Sequence, residues 1–177
     1  MLSRQDNERL TRVGPGTAMG NLLRCFWFPA LLSEEIVADG APVRLRLLGE
    51  DLVAFRDSGG RVGILDAYCP HRGAHLYFGR NENCGLRCVY HGWKFDVDGE
   101  CDDMPSEPPE SRLVGKVRTR AYRTEERGGV VWIYMGPDTQ SPPLPEFEWS
   151  RLSAGRRTAT KRLQRCKVLL GQEGLID

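Results

Sequence analysis

The histidines of this chain are confined to one short stretch. Residues 69–93, CPHRGAHLYFGRNENCGLRCVYHGW, contain all three histidines and three of the six cysteines. Four of these side chains form two motifs, C-x-H at Cys69 and His71 and C-x-x-H at Cys88 and His91, with 16 residues between His71 and Cys88. Each motif offers one thiolate and one imidazole, and the long spacing lets two neighbouring loops close over one bound group. The fold must therefore place two loop tips side by side.

A set of two cysteines and two histidines suits two kinds of metal centre. One is a tetrahedral structural zinc, and the other is a [2Fe-2S] cluster in which histidines replace two cysteines on one iron. Zinc fingers usually group like ligands, whereas each motif here mixes the two types. With neutral imidazoles the oxidised cluster core carries no net charge, so adding an electron costs less than in a four-cysteine cluster. The spacing favours the iron–sulfur cluster.

Length and charge limit what else the chain does. At 177 residues and 20.0 kDa it is long enough for one domain and a piece of another. A net charge of +1 gives no reason to expect a nucleic-acid or membrane partner. The N-terminus, MLSRQDNERLTR, is too polar for a signal peptide, and no apolar run is long enough to span a membrane. We therefore expect a cytoplasmic protein whose cysteines are reduced.

The pattern of apolar residues predicts a mostly β protein with short N-terminal helices. Residues 3–13 and 17–24 have helical composition, and the aromatic stretch 25–32 is expected to pack against the β strands after it. Alternating runs predict about seven antiparallel strands, with the ligand stretch inserted as two loops. We expect the chain to divide into a helical arm (1–40), a cluster-binding β domain (41–136), a Pro-rich linker (137–150) and the start of a second domain (151–177). Residues 151–167 hold seven basic side chains and no acidic one, which indicates either a solvated strand or a nucleic-acid surface.

At the ligand stretch the sequence resembles a known family. CPHRGAH, followed by LRCVYHGWKFDVDGEC, is similar to the Rieske domain of the non-haem iron ring-hydroxylating oxygenases. LTRVGPGTAMGNLLRCFWFPALL and PVRLRLLGEDLVAFRD are similar to the phthalate 4,5-dioxygenase type of large (alpha) subunit, and the resemblance extends over residues 1 to about 135. It implies a Rieske-type antiparallel β sandwich with a [2Fe-2S] cluster-binding subdomain. Cys69 and Cys88 would then hold the inner iron, and His71 and His91 the outer one.

The same resemblance implies partners and a second metal. Members of the family receive electrons from a flavin and iron–sulfur reductase, form trimer-type homo-oligomers and hydroxylate aromatic compounds as dioxygenases or monooxygenases. They also hold a mononuclear iron through two histidines and a carboxylate. Two of the three histidines here are assigned to the cluster, so the ligands of that iron are absent and oxygen activation would require a further domain.

The C-terminal residues KVLLGQEGLID resemble the family segment that leads into the iron site. By that resemblance Asp177 stands at the aspartate that bridges the outer cluster histidine of one subunit to the iron of its neighbour, which would pair it with His91. We therefore expect the N-terminal Rieske portion of such a subunit, able to transfer electrons. The alternatives are a stand-alone Rieske ferredoxin-like carrier, a zinc-stabilised binding module and a non-functional truncated remnant.

The remaining candidate residues have simpler interpretations. His75 lies near His71, but the set of four ligands is complete without it, so we expect a loop or surface histidine. Trp93 is expected to shield the cluster from water or to fill the core. Respiratory-type Rieske proteins brace their two loops with a disulfide, and Ala74 and Tyr90 stand at the matching places. The other cysteines are expected to be small packing residues: Cys25, Cys84, Cys101 and Cys166.

Overall fold

Two antiparallel sheets carry the candidate ligands. The computed structural model describes residues 3–108, 110–137, 139, 141–162 and 171. Within these residues, ten strands form a six-stranded sheet of order β1-β10-β9-β4-β3-β2 and a four-stranded sheet of order β5-β6-β7-β8. The strands are β1 (Trp27–Leu32), β2 (Val43–Leu47), β3 (Glu50–Arg56), β4 (Val62–Asp66), β5 (Arg80–Glu82), β6 (Gly85–Arg87), β7 (Lys94–Phe95), β8 (Cys101–Asp103), β9 (Ala121–Arg127) and β10 (Val130–Tyr134).

The N-terminal helices were predicted from composition and are confirmed as α1 (Arg4–Thr11) and α2 (Ala18–Leu23). Each begins at a hydroxyl cap: Ser3 Oγ accepts from the Asp6 backbone N–H at 3.1 Å, and Thr17 Oγ1 accepts from the Gly20 N–H at 3.1 Å. These bonds satisfy N–H groups that have no partner within the helix. Neither these helices nor any other helix of the described residues is long and apolar enough to cross a membrane.

A largely buried ion pair fastens the helices to the larger sheet. Arg24 donates to the carbonyl oxygens of Val13 and Gly20 and pairs with Glu50 at the start of β3. Burial raises the pKa of Glu50, but hydrogen bonds from Arg24 and Tyr122 more than offset this, so that its pKa lies below the usual value. The arm is therefore held by a charged contact as well as by apolar packing.

The two faces of β3 lie in different parts of the core. Val53 and Phe55 pack with the small sheet and the ligand stretch, whereas Leu52 and Ala54 pack against the opposite face with residues of β1 and β10. This division follows from the period of two in a strand, which sends successive side chains to opposite faces. Because both faces are covered, β3 places the ligand stretch directly over a buried apolar layer.

Several segments differ from the sequence prediction. The number of strands is ten rather than about seven, because β5 to β8 are only two or three residues long and leave no room for an alternating pattern. Residues 27–32 of the expected arm form β1, which pairs with β10 and so belongs to the six-stranded sheet. β9 begins only at Ala121, and a bridge between Arg118 and Glu100 links the residues before β9 to the residue before β8.

The C-terminal third contains the other differences. The Pro-rich segment packs on the sheet, since Leu144 is buried with Trp27 and Trp132 and the Trp27 indole N–H donates to Pro142 O at 2.8 Å. Residues 154–156 form a 3-10 helix, where the pattern allowed a strand. Asp177 and Cys166 lie outside the described residues.

Candidate metal centre

Two six-residue loops with the same backbone hydrogen bonds carry the candidate ligands. We call residues 69–74 loop 1 and residues 88–93 loop 2. In loop 1 the Cys69 N–H donates to Ala74 O at 2.9 Å, and in loop 2 the Cys88 N–H donates to Trp93 O at 2.8 Å. The fifth residue of each loop donates back to the first, from Gly73 N to Cys69 O at 2.8 Å and from Gly92 N to Cys88 O at 3.1 Å.

A glycine in the left-handed region closes each loop. Gly73 has φ +69° and Gly92 has φ +77°, values that side chains with a Cβ rarely adopt. Sequence reasoning missed both glycines, although each stands four positions after its cysteine. The equal offset is the signal that could have shown the two loops to be alike, despite their different C-x-H and C-x-x-H spacing.

The cysteines of the two loops meet at the buried end of the site. Cys69 and Cys88 are each 3% exposed and pack into the apolar core beneath β3. Burial raises the pKa of Cys69 to about 11 and the neighbouring Cys88 adds to the rise, although the backbone N–H groups of His71 and Arg72 donate to the sulfur and oppose it. A bound metal cation deprotonates such thiols, because it supplies the positive charge that the apolar surroundings lack.

The histidines of the two loops meet at the other end, closer to solvent. The ring centroids of His71 and His91 lie 4.6 Å apart, and both rings are half-buried. His71 stacks on Trp93 of loop 2 at 4.3 Å with the planes 5° apart, and His91 lies 3.9 Å from the Tyr90 ring. Aromatic rings thus hold both imidazoles, and Trp93 covers one side of the site while its indole N–H donates to Ser106.

One buried nitrogen of the site has no hydrogen-bond partner among the described residues. It is His71 Nδ1, which is buried. Buried polar atoms are nearly always paired, so an orphaned imidazole nitrogen inside a cage of aromatic rings and thiols has the environment of a metal ligand. The donor chemistry of the site therefore fits a metal centre.

The fold sorts the donors by type, although the sequence mixes them. The two sulfurs lie together in the core and the two imidazoles lie together near the surface. A cluster with cysteines on one iron and histidines on the other needs this separation, whereas zinc needs all four donors around one point. In the described residues no three His, Cys, Asp or Glu side chains are grouped as ligands of a single ion. The residues present fit a binuclear cluster.

The other singled-out residues do different things. His75 Nδ1 accepts from the Tyr77 N–H at 3.2 Å and caps the 3-10 helix Leu76–Phe78. Cys101 is buried in the same core as the ligand thiols, and burial raises its pKa to about 12. The expectation of packing residues is wrong for Cys25 and Cys84, which are exposed, because they lie at the end of α2 and in the β5–β6 turn.

The sequence and fold have counterparts among known proteins. Residues 26–123, more than half of the chain, match the family described as Rieske [2Fe-2S] domain. The chain is 50% identical over 173 residues to the 3-chlorobenzoate-3,4-dioxygenase oxygenase subunit of Comamonas testosteroni, covering 98% of this chain and 40% of that protein. It is 48% identical over 178 residues to the phthalate 4,5-dioxygenase oxygenase subunit of Pseudomonas putida, covering 100% of this chain and 40% of that protein.

A solved structure shows the same fold. A chain in the reduced complex between oxygenase and ferredoxin in carbazole 1,9a-dioxygenase matches with a TM-score of 0.62 and 30% identity, covering 77% of this chain and 33% of that chain. The chain spans about 40% of the length of the curated relatives described above. It belongs to the family of Rieske [2Fe-2S] domains, which its residues 26–123 match.

Proposed function

We propose that the chain holds a [2Fe-2S] cluster and passes single electrons through it, with Cys69 and Cys88 on the inner iron and His71 and His91 on the outer iron. The observation that carries this proposal is the spatial sorting of the donors, with the sulfurs together in the core and the imidazoles together near solvent. When bound, the cluster supplies one-electron redox chemistry that no side chain of the chain provides.

The residues around the site have distinct parts in that process. The apolar core beneath the cysteines keeps water from the sulfurs, which limits loss and oxidation of the bound group. With a cluster bound, the half-buried imidazoles would provide the route by which an electron reaches the surface, next to the exposed side chains of Val89 and Tyr90. Stacking on Trp93 fixes the His71 ring, so that one imidazole plane is set by loop 2 rather than by its own loop.

We further propose that this electron serves a mononuclear iron in the rest of an oxygenase subunit. The three histidines of the sequence do not suffice for both a cluster and a site of two histidines and a carboxylate. The relatives named above act on chlorobenzoate and phthalate, which supports an aromatic carboxylate as substrate and oxygenation as the reaction. The bridging role of Asp177 stays a prediction.

The partners follow from the same setting. A ferredoxin complex of a similar oxygenase supports an electron-transfer protein as donor, and we propose a flavin and iron–sulfur reductase. A trimer-type homo-oligomer, a cytoplasmic location and the absence of nucleic-acid and membrane partners stay predictions. So does the division into arm (1–40), Rieske domain (41–136), linker (137–150) and second domain (151–177).

One experiment tests the proposal. The chain is expressed and purified without oxygen, and its visible and EPR spectra are recorded together with iron, zinc and acid-labile sulfide. We expect two irons and two sulfides per chain and an EPR signal that appears on one-electron reduction. A colourless protein with one zinc would contradict the proposal and support the zinc-stabilised module instead.

A further inference from the structure

A buried arginine joins loop 2 to both edges of the small sheet. Arg87 is the last residue of β6 and immediately precedes Cys88, and its side chain is 14% exposed. Its Nε donates to Glu82 on β5 at 2.5 Å, and its Nη1 pairs with Asp103 on β8 at 2.8 Å. The same Nη1 donates to the carbonyl oxygen of Gly92 at 2.6 Å.

The contact with Gly92 O fixes the peptide group between Gly92 and Trp93, one residue after His91. Gly92 has φ +77° and also donates to Cys88 O, so its position sets how loop 2 turns back after the imidazole. The guanidinium fork is planar and rigid, so it reaches several acceptors in a set geometry. Two carboxylates balance its charge, which removes most of the cost of burying a cation next to the site.

Loop 1 has no equivalent contact. Among the described residues, no lysine or arginine donates to a carbonyl oxygen of residues 69–74, and the described cysteines are all free, so no disulfide joins the loops. The two loops share a backbone pattern but differ in what holds them. Among the described residues, this contact from a charged side chain is made in loop 2 and not in loop 1. Loop 2 carries its histidine at the fourth position, so its cysteine and histidine are one residue farther apart than in loop 1.

We propose that Arg87 is a positioning residue that holds loop 2, and with it His91, in the geometry required for cluster binding; this inference rests on the ligand assignment proposed above. Arg87 is not among the proposed ligands. It acts through the Gly92 carbonyl oxygen, and Glu82 and Asp103 keep its guanidinium in place.

The chain offers a matched control for this role. Arg80 lies opposite Arg87 on β5 and also donates to Glu82, at 3.2 Å, but its side chain is 74% exposed and contacts no residue of loop 2 in the described structure. Replacement of either arginine by methionine removes one cation and one partner of the same carboxylate. Only Arg87→Met removes the contacts with Gly92 and Asp103.

The test compares Arg87→Met, Arg87→Lys and Arg80→Met in the full chain. The first readout is the rate at which an iron chelator removes the cluster, and the second is the set of EPR g values after reduction. We expect Arg87→Met to lose the cluster about tenfold faster or more and to shift its g values, whereas Arg80→Met behaves as the unmodified chain. Arg87→Lys keeps the charge between the carboxylates, so it is the variant to use if Arg87→Met does not fold.

A third readout separates this inference from the proposed function. Hydrogen exchange of the Gly92 and Gly73 amides is measured on the apo chain as well as on the loaded one. We expect both Arg87 variants to speed exchange at Gly92 and leave Gly73 unchanged, because a single ammonium does not reproduce the fork. Equal exchange and equal cluster loss in the Arg87 and Arg80 variants would overturn the inference. If the unmodified chain binds no iron and sulfide, the proposed function fails and the exchange measurement still decides the role of Arg87.

Discussion

Loop 1 and loop 2 show how one backbone design serves two different ligand spacings. Both are six residues long, begin with the cysteine, and turn back at a left-handed glycine. The histidine is the third residue of loop 1 and the fourth of loop 2. The sixth residue is Ala74 in loop 1 and Trp93 in loop 2, and among the described residues an arginine donates to a carbonyl oxygen of loop 2 but not of loop 1. The shared part sets where the sulfurs lie, and the different parts set the imidazoles.

Removing a ligand from either loop should have the largest effect. On the proposed ligand assignment, we expect His71→Ala and His91→Ala each to reduce bound iron and sulfide by about tenfold or more, because each would leave the outer iron with one protein donor. His75→Ala is the control, since its Nδ1 is engaged by the Tyr77 N–H. Metal and sulfide analysis of the purified chains checks this. Full cluster content in either ligand variant, or loss in the control, would show that the assignment is wrong.

Replacing Trp93, the sixth residue of loop 2, by alanine makes it the same as Ala74 of loop 1 and should have the next largest effect. Trp93 is 6% exposed, and Trp93→Ala removes the ring that stacks on His71. We therefore expect a loss of about 3–5 kcal/mol in the free energy of unfolding. Trp93→Phe keeps an aromatic face but loses the hydrogen bond to Ser106, and should cost less than half of that. Anaerobic denaturant titration of the loaded chains measures both. Equal losses in the two variants would show that the ring stacking does not matter.

The two glycines allow a direct comparison of the loops. Gly73→Ala places a Cβ in open space and should cost about 1–2 kcal/mol for the left-handed backbone alone. At Gly92 the same Cβ would lie 2.7 Å from Pro105 Cγ, so Gly92→Ala should cost more than Gly73→Ala. For a chain of this size, each kcal/mol lowers Tm by about 2–4 °C. Equal Tm values for the two variants would show that Pro105 moves away from the added Cβ at little cost in free energy.

The comparison also shows which parts of the molecule can be predicted from sequence. The four candidate ligands, the helices and most strands of the larger sheet follow from spacing, composition and alternation, all of which are local. The separation of the sulfurs from the imidazoles depends on how β6 and β7 pair. The contact of Arg87 with Gly92 depends on Glu82 and Asp103, which come from two other strands. Such contacts depend on how the short strands pair, and strands of two or three residues leave no pattern that would reveal them.

The residue pairs that close the loops differ in one further respect. Loop 1 is closed by a bridge between Tyr68 and His75, and loop 2 by the pair Arg87 and Lys94, which contains no imidazole. Burial lowers the pKa of His75 below its ordinary value of 6.5, and the charge of Arg44 lowers it further, while Asp51 and Asp66 act in the opposite direction. In the unfolded chain His75 therefore binds a proton at a higher pH than in the folded one.

The sign of the pH effect follows from this difference. Stability from neutral His75 is fully present above about pH 6.5 and is lost as the pH falls through the lower pKa of the folded state. His75→Asn keeps an acceptor for the Tyr77 N–H but does not titrate, so the Tm advantage of the unmodified chain over this variant should shrink between pH 7.5 and pH 5.5. Because the other histidines are common to both proteins, their titration cancels in the difference. A Tm difference that stays constant or grows on acidification would show that His75 is protonated as easily in the folded chain as in the unfolded one. The closing pairs of the two loops would then respond alike to pH.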